Sequence, residues 1–443
     1  MMNRRVFLTL LAEGAACFTG ASLWAKSTFG KQRRGASIVQ GPATESETQI
    51  NVLVPFGAKW TYTVEEVSTG KQINSSNIQI ATHERGTLYK TQNIAIIGLK
   101  LDTKYQIIVR DEKLIQVDQR VFMTLDTQKP QLTFALASCL NDRYLKDQQD
   151  MWGGLLAQKP DVVFLIGDNV YGDWSPSNSI YQPATPDHLW MRYAQTRTML
   201  DFYYHKTLIP TYTIWDDHDF GCNDGGKDYQ YKKESLEIFN QQFPRLNVSN
   251  VNYGPGAAFG VELSGVSYFF LDGRSFRETN KNKKGEHLGS VQTKWLIDLL
   301  KKNQKPSALI VGDQFFGGYH TFESFEGLHP VEFEVFLAQL RNLKLPIYFM
   351  SGDRHCSEIM NIPKKYIGVD TFEITSSGIH SSTFPGSFES QPNPRQIVGI
   401  DGEQNFNIIK SQIKASGLEL DVSCYGHKLR KFYQRSLALS SPN

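Results

Sequence analysis

The stretch Ile214–Gly221 reads IWDDHDFG, an apolar pair followed by Asp216, Asp217, His218 and Asp219 in a row. Four ionisable side chains this close resist burial unless a positive charge compensates them. Other short apolar runs lead into similar chemistry. FALA precedes Ser138-Cys139, and VVFLI precedes Gly167-Asp168-Asn169-Val170-Tyr171. SYFFL precedes Asp272-Gly273-Arg274, and ALIV precedes Gly312-Asp313-Gln314. YFM precedes Ser351-Gly352-Asp353-Arg354-His355, and FEIT precedes Ser376-Ser377-Gly378-Ile379-His380. These are metal-ligand types, and a bound cation is the compensating charge they call for. Carboxylates suit hard cations such as calcium, magnesium or manganese, whereas thiolate, imidazole and phenolate suit a transition metal. A site with both kinds of donor is expected to be heterometallic, with ferric iron favoured by tyrosinate. Asp353 and His355, two apart, would face the same way on an extended segment. Gly167 permits a tight turn between its strand and Asp168 and Tyr171. Of Asp216 and Asp217, one can ligate while the other orients a neighbour.

The elements that must position these residues are legible as texture. After Pro130, short apolar runs alternate with helix-like segments such as DHLWMRYAQTRTMLDFYYHKTL, KKESLEIFNQQF, VQTKWLIDLLKKN and PVEFEVFLAQLRNL, which predicts an α/β core over 131–443. The loops at the carboxyl ends of such strands form the usual site. Residues 36–128 instead read as about seven short alternating strands, a small β-sandwich. The boundary falls at TQKPQ, and LKLDTKYQIIV resembles the turn into a late strand of fibronectin type III-like domains. The C-terminal YGHKLRKFYQRSLAL reads as an amphipathic surface helix.

Composition narrows the class. The chain has 443 residues, 40% hydrophobic and 21% charged, as in a folded globular protein. A net charge of +2 gives no footprint for nucleic acid. The N-terminus, MMNRRVFLTLLAEGAACFTGASLWAKS, places Arg4 and Arg5 before a weakly apolar run broken by Glu13 and Gly14. Residues 1–25 resemble a twin-arginine export signal cleaved near Ala25, with a Sec signal as the alternative. Export by the twin-arginine machinery implies a periplasmic or extracellular protein. In GAAC, Gly14 stands where a lipoprotein box usually has leucine before its cysteine, here Cys17. No later segment is apolar enough to span a bilayer. Five cysteines in a chain this long are no disulfide framework, although Cys222 and Cys356 could pair beside the site.

GDNVY, WDDHDFG, LDGRSFR, SGDRH and TSSGIH, in this order, resemble the alkaline phosphatase D (PhoD-like) family of the calcineurin-like metallophosphatases. The resemblance covers about Gln131 to Ser382. It implies an α/β metallophosphatase core, a β-sandwich flanked by helices, preceded by a small all-β immunoglobulin- or fibronectin-like domain. It also implies Asp168 as a bridging ligand and Tyr171 and Cys139 as iron ligands. Asp217 and Asp353 would ligate metal, with His355 on the other metal. His218 would face the substrate and protonate the leaving group. The remaining superfamily histidine has no match; Gln314 lies in the right region. Iron and calcium are the implied cofactors, with other divalent metals as alternatives.

The implied activity is metal-dependent hydrolysis of phosphate mono- or diesters by an activated water. Arg274 is a candidate phosphate contact, with a structural salt bridge as the bland alternative. Arg354 should point away from the metal side. His380, at the end of a strand, and His320 and His329, in a loop-rich stretch, are further candidates to reach substrate. His83, His188, His205, His287 and His427 lie outside every motif and read as structural or surface residues. Two other classes fit parts of the sequence. One is a cell-envelope binding or adhesion protein with an inactive metallophosphatase domain; the other is a haloperoxidase-like oxidation at the iron.

Overall fold

The structure, a computed structural model, describes residues 35–245 and 251–440. The export-signal reading of residues 1–25, with Cys17, lies outside the described residues. Two antiparallel sheets come first. One has the spatial order Ser37–Ala43, Glu47–Pro55, Tyr89–Ile97, Ile78–Glu84, and the other Thr61–Glu66, Lys104–Arg110, Gln116–Met123. Alternation explains their packing: Tyr105, Ile107 and Val109 all turn inward with Ile50, Val52, Ile94, Ile96 and Phe122.

From Gln131 onward two larger sheets stack face to face. The first runs Thr211–Ile214, Val162–Ile166, Gln131–Ala137, Phe406–Lys414, Gly417–Tyr425, Lys431–Ser440. The second runs Val251–Tyr253, Phe259–Leu263, Val266–Phe270, Ser307–Ile310, Ile347–Ser351, Thr371–Ser376, Ser357–Ile362, Gln396–Ile400. Each sheet contains a parallel run: at one end of the first, with Val162–Ile166 between Gln131–Ala137 and Thr211–Ile214, and in the middle of the second, with Ser307–Ile310 between Val266–Phe270 and Ile347–Ser351. These parallel strands are buried, most of them on both faces, so they carry short continuous apolar runs rather than alternation.

Phe134 and Phe164 of the first sheet meet Tyr268 and Phe270 of the second between the layers. The helix Leu145–Ala157 covers the outside of the first sheet through Met151, Trp152 and Leu155. Helices Ser290–Asn303 and Pro330–Leu343 cover the second through Leu296, Leu300, Phe333 and Leu337. The parallel strands of each sheet carry their carboxyl-end loops to one edge, where the acidic motifs lie. The helix Pro186–Met199 ties this core to the N-terminal sheets, since Arg197 is buried and donates to Asn51 and to the carbonyl of Ser37.

One element differs from expectation. The C-terminal residues Lys431–Ser440 form a strand, not a helix, paired antiparallel with Gly417–Tyr425 at the edge of the first sheet. Its apolar residues satisfy both periods over so short a window. Tyr433 and Leu439 face inward, and Tyr433 Oη lies 2.6 Å from Ser357 Oγ, which settles it on the sheet. The exposed Lys431 and Arg435 are charges of the kind that protect an edge strand. The four described cysteines are all unpaired, so Cys222 and Cys356 form no disulfide. No helix among the described residues is long and apolar enough to cross a membrane.

Phe164 is fully buried, with ring centroids of Phe134, Tyr268 and Phe270 at 4.6, 5.1 and 5.1 Å. Phe164→Ala is expected to cost about 3–5 kcal/mol, read as a lower urea midpoint with an unchanged slope.

Candidate metal centre

The loops after six strands meet at one edge. Cys139, Asp168 and His355 present ligand atoms within 4.8 Å of one another. So do Asp168, Asp217 and His218, and so do Asp217, Asp224 and Glu323. Asp168 is shared by the first two groups and Asp217 by the last two, so the donors form a continuous row. Tyr171 joins the first group, its hydroxyl 3.4 Å from His355 Nε2 and 3.0 Å from Ser381 Oγ. Cys139 Sγ lies 3.5 Å from Asp168 Oδ2.

The backbone is bent to make this possible. Cys139, Asp168, Asp353 and His355 have φ of 60°, 52°, 59° and 49°, in the left-handed region that ordinary residues avoid. Such conformations persist only where the surroundings impose them, and they cluster at functional sites. They also alter the reading of the Asp353/His355 pair. The strand has ended at Ser351, so the two side chains are placed by left-handed turns rather than by strand alternation. Asp353 stands outside the three donor groups, close enough to Asp217 and Glu323 to feel their charge.

Asp216 is the orienting member of its pair. A Cβ on Gly312 would stand 2.3 Å from Asp216 Cγ, and one on Gly167 would stand 2.6 Å from Asp216 Cβ. Only glycine leaves room there, and Gly167 also adopts φ of 106°. Pinned in that slot, Asp216 accepts from Arg274 Nε at 2.6 Å, and Arg274 Nη2 also lies 2.6 Å from Glu323. Arg274 is fully buried, so the structure gives it two salt bridges and no surface open to a phosphate. Arg277 pairs with Asp313 at 2.8 Å and with Glu323 at 3.0 Å. His218 is held on both sides. Its Nδ1 lies 2.8 Å from Asp173 Oδ1, and its ring packs against Tyr171 at 4.2 Å and Tyr181 at 5.0 Å.

Electrostatics shows what the site lacks. Burial, reinforced by Asp217, Asp219 and Asp353, pushes Asp168 well above the usual carboxylate range despite His218 nearby. Burial and the charges of Asp217 and Glu323 push Asp353 up to about 7. Burial, then Glu323 and Asp217, push Asp224 up to about 6. Burial and Asp168 push the Cys139 thiol up, while burial and His218 hold His355 down at about 4. Asp217 runs the other way: burial opposes its charge, but His218 and Arg274 outweigh it. Arginine balances only the inner end of the row. Thiol, phenol, imidazole and carboxylates together are a donor set for cations, which would let each group take its ligating form.

The remaining candidates lie elsewhere. Gln314 is buried and turned to Glu358 and Thr375, at 2.9 and 2.8 Å. His380 accepts from Trp152 Nε1 at 3.0 Å, His320 is held by Gln314 at 2.8 Å, and His329 lies 3.1 Å from His287. Asp224, Glu323 and Asp173 are the functional carboxylates that sequence reasoning missed. Asp224 lies in the polar stretch after WDDHDFG, and Glu323 in the loop noted above only for its histidines.

Comparison with known proteins bears on the fold. No family model matches this chain, and no curated protein matches it. Among solved structures, PhoD is similar with a TM-score of 0.66 at 16% identity, over 91% of this chain and 92% of that one. The chain therefore has a PhoD-like fold. The IgNAR antibody domain C3 is similar only locally, with a TM-score of 0.16 at 12% identity, covering 20% of this chain and 95% of that one. The sensor domain of the anti-sigma factor RsgI4 in Pseudobacteroides cellulosolvens has a TM-score of 0.15 at 20% identity, covering 20% and 89%.

Asp216→Ala is expected to destabilise the protein by about 3 kcal/mol, the low end for breaking a buried pair, because Glu323 still faces Arg274. Chemical denaturation measures it. Gly312→Ala should lose stability too, by displacing the same carboxylate.

Proposed function

We propose that this chain is a metal-dependent hydrolase of phosphoric esters. The observation that carries the reading is the continuous row of donors, with Asp168 and Asp217 each shared between neighbouring groups. Carboxylates shared in this way would hold more than one cation, and paired cations would supply the charge that phosphate transfer uses. The similarity to PhoD in fold supports the same reading. Cys139, Tyr171, Asp168 and His355 would hold the iron. Asp168, Asp217, Asp224 and Glu323, with Asp353 beside them, would hold calcium or another hard divalent ion.

Bound cations supply positive charge for the phosphate oxygens and make a water acidic enough to attack. The protein's own residues do the rest. Water attacks phosphorus in line and gives up a proton to solvent, a P–O bond forms, and the P–O bond to the leaving group breaks. His218, fixed by Asp173 through Nδ1, is placed to give a proton to the leaving oxygen from its other nitrogen. The flanking Tyr171 and Tyr181 rings keep the imidazole from rotating away. Arg274 and Arg277 act from behind as positioning residues that hold Asp216, Asp313 and Glu323 in place. The paired arginines of the N-terminus support export, and the substrate would then be an ester met outside the cytoplasm.

The purified protein is expected to release nitrophenolate from nitrophenyl phosphate or bis(nitrophenyl) phosphate. Chelator should abolish this, and calcium should restore it. Asp168→Asn should lower both bound metal and kcat/KM by more than about 100-fold, since partners one shell further out already cost about 10–100-fold. His218→Gln should lower kcat by about 10²–10⁴-fold for alkyl phosphate esters, whose leaving oxygen needs the proton, and far less for the nitrophenyl esters, with metal content retained. An envelope-binding protein with an inert site would show no turnover in any metal condition.

A further inference from the structure

Three aromatic side chains beside the metal centre are unusually exposed: Tyr181 at 40%, Phe322 at 53% and Phe384 at 55%. A single exposed ring needs no explanation, but a group around one polar site does. Each packs on a residue of the site or its motif. The Tyr181 ring lies 5.0 Å from the imidazole of His218, inclined 25°. Phe384 lies 5.4 Å from His355, inclined 14°. Phe322 lies under the Arg354 guanidinium at 4.4 Å and is next in sequence to Glu323.

The rings are held in orientation. Tyr181 ends a two-strand hairpin, Trp174–Ser175 with Ile180–Tyr181. Arg143 braces it, lying 4.0 Å over the Trp174 ring while donating to the Tyr181 hydroxyl. Phe384 belongs to the loop whose Ser382 Oγ lies 3.0 Å from His355 Nδ1. A Gln391–Thr321 hydrogen bond of 3.3 Å ties the segment beyond Phe384 to the loop that carries Phe322. Each ring rests on the site and stays partly exposed, with Tyr181 also met by Trp174 at 5.0 Å and by Arg143 at 5.4 Å.

We propose that Tyr181, Phe322 and Phe384 form a recognition rim for the organic arms of the substrate, and that the preferred substrates are phosphate diesters with a flat aromatic group beside the phosphate. The proposal rests on the hydrolase reading above. Tyr181 stands over His218, the proton donor to the leaving oxygen, so it borders the leaving arm. Phe384 stands over His355, at the other metal-binding group, so it borders the retained arm. A monoester has only one arm to offer, whereas a diester fills both sides. Fixed rings accompanied by the cationic Arg143, over Tyr181, and Arg354, over Phe322, suit a flat group, because stacking needs a face rather than a continuous apolar groove. An acyl chain would require such a groove.

The test uses two diesters with the same leaving group: bis(p-nitrophenyl) phosphate and methyl p-nitrophenyl phosphate. Only the retained arm differs, and its intrinsic effect on reactivity cancels when the kcat/KM ratio is compared across variants. Phe384→Ala is expected to lower the aryl-to-methyl ratio about tenfold, the size of one lost stacking contact, mainly through KM for the aryl ester. Phe384→Leu should lower it similarly, and Phe384→Trp should keep it. A ratio unmoved by Phe384→Ala overturns the rim while leaving the hydrolase reading intact. A ratio kept by Leu overturns the requirement for a flat group. If the wild-type protein cleaves neither ester, the hydrolase reading fails and the rim fails with it.

Discussion

Packing many carboxylates into a nearly dry edge between two sheets sets the terms for everything around it. Each acid costs free energy to bury while charged, and each raises the cost for the next. The protein answers in two places. At the inner end, Arg274 and Arg277 are themselves buried and bind Asp216, Asp313 and Glu323. At the outer end His218 opposes the shift of Asp168, yet burial and the neighbouring carboxylates drive its carboxyl toward the neutral form. A bound cation would relieve that pressure, so metal affinity would be a property of the scaffold rather than of any single donor.

The architecture follows from the same demand. Two sheets stacked on an aromatic core leave their parallel strands ending at one edge, and the helices outside complete the layers. The core can therefore be uniformly apolar while chemistry accumulates at the strand ends. What that edge requires is sharp reversal of the chain immediately after each strand. Left-handed φ at Cys139, Asp168, Asp353 and His355, and the bare Cα of Gly167 and Gly312, supply it. These conformations oppose local preference, so the stability of the surrounding sheets must hold them.

Supporting residues divide into those that fix a ligand and those that border it. Asp173 and the rings of Tyr171 and Tyr181 fix His218 on three sides. Ser381 and Ser382 approach His355, and Ser377 accompanies the Cys139 thiol at 3.1 Å. The aromatic rim then continues outward from the same histidines. The site thus passes from buried ion pairs to donors to exposed rings over a few residue layers, each held by the one beneath it.

Much of this was legible in the sequence because its cause is local. Apolar runs of four to six residues ending in Gly, Asp, Cys or His mark buried strands and their terminal loops. Cys139, Asp168, Tyr171 and His355 stood out by type and place, the resemblance to the PhoD-like family chose Asp217 over Asp216, and the structure brings these residues together. Long-range partnerships were not legible. Asp224 and Glu323 sit in loops with no periodicity, and only the folded chain brings them to Asp217. Arg274 follows a strand like a ligand does, yet its fate depended on whether Asp216 and Glu323 would close around it. The last ten described residues fitted a helix or a strand equally, and the open edge at Gly417–Tyr425 chose the strand. Sequence alone determined which chemistry the strand ends carry, because residue type and spacing encode it. Tertiary structure alone decided which charges neutralise one another, because that depends on distances between segments far apart in the chain.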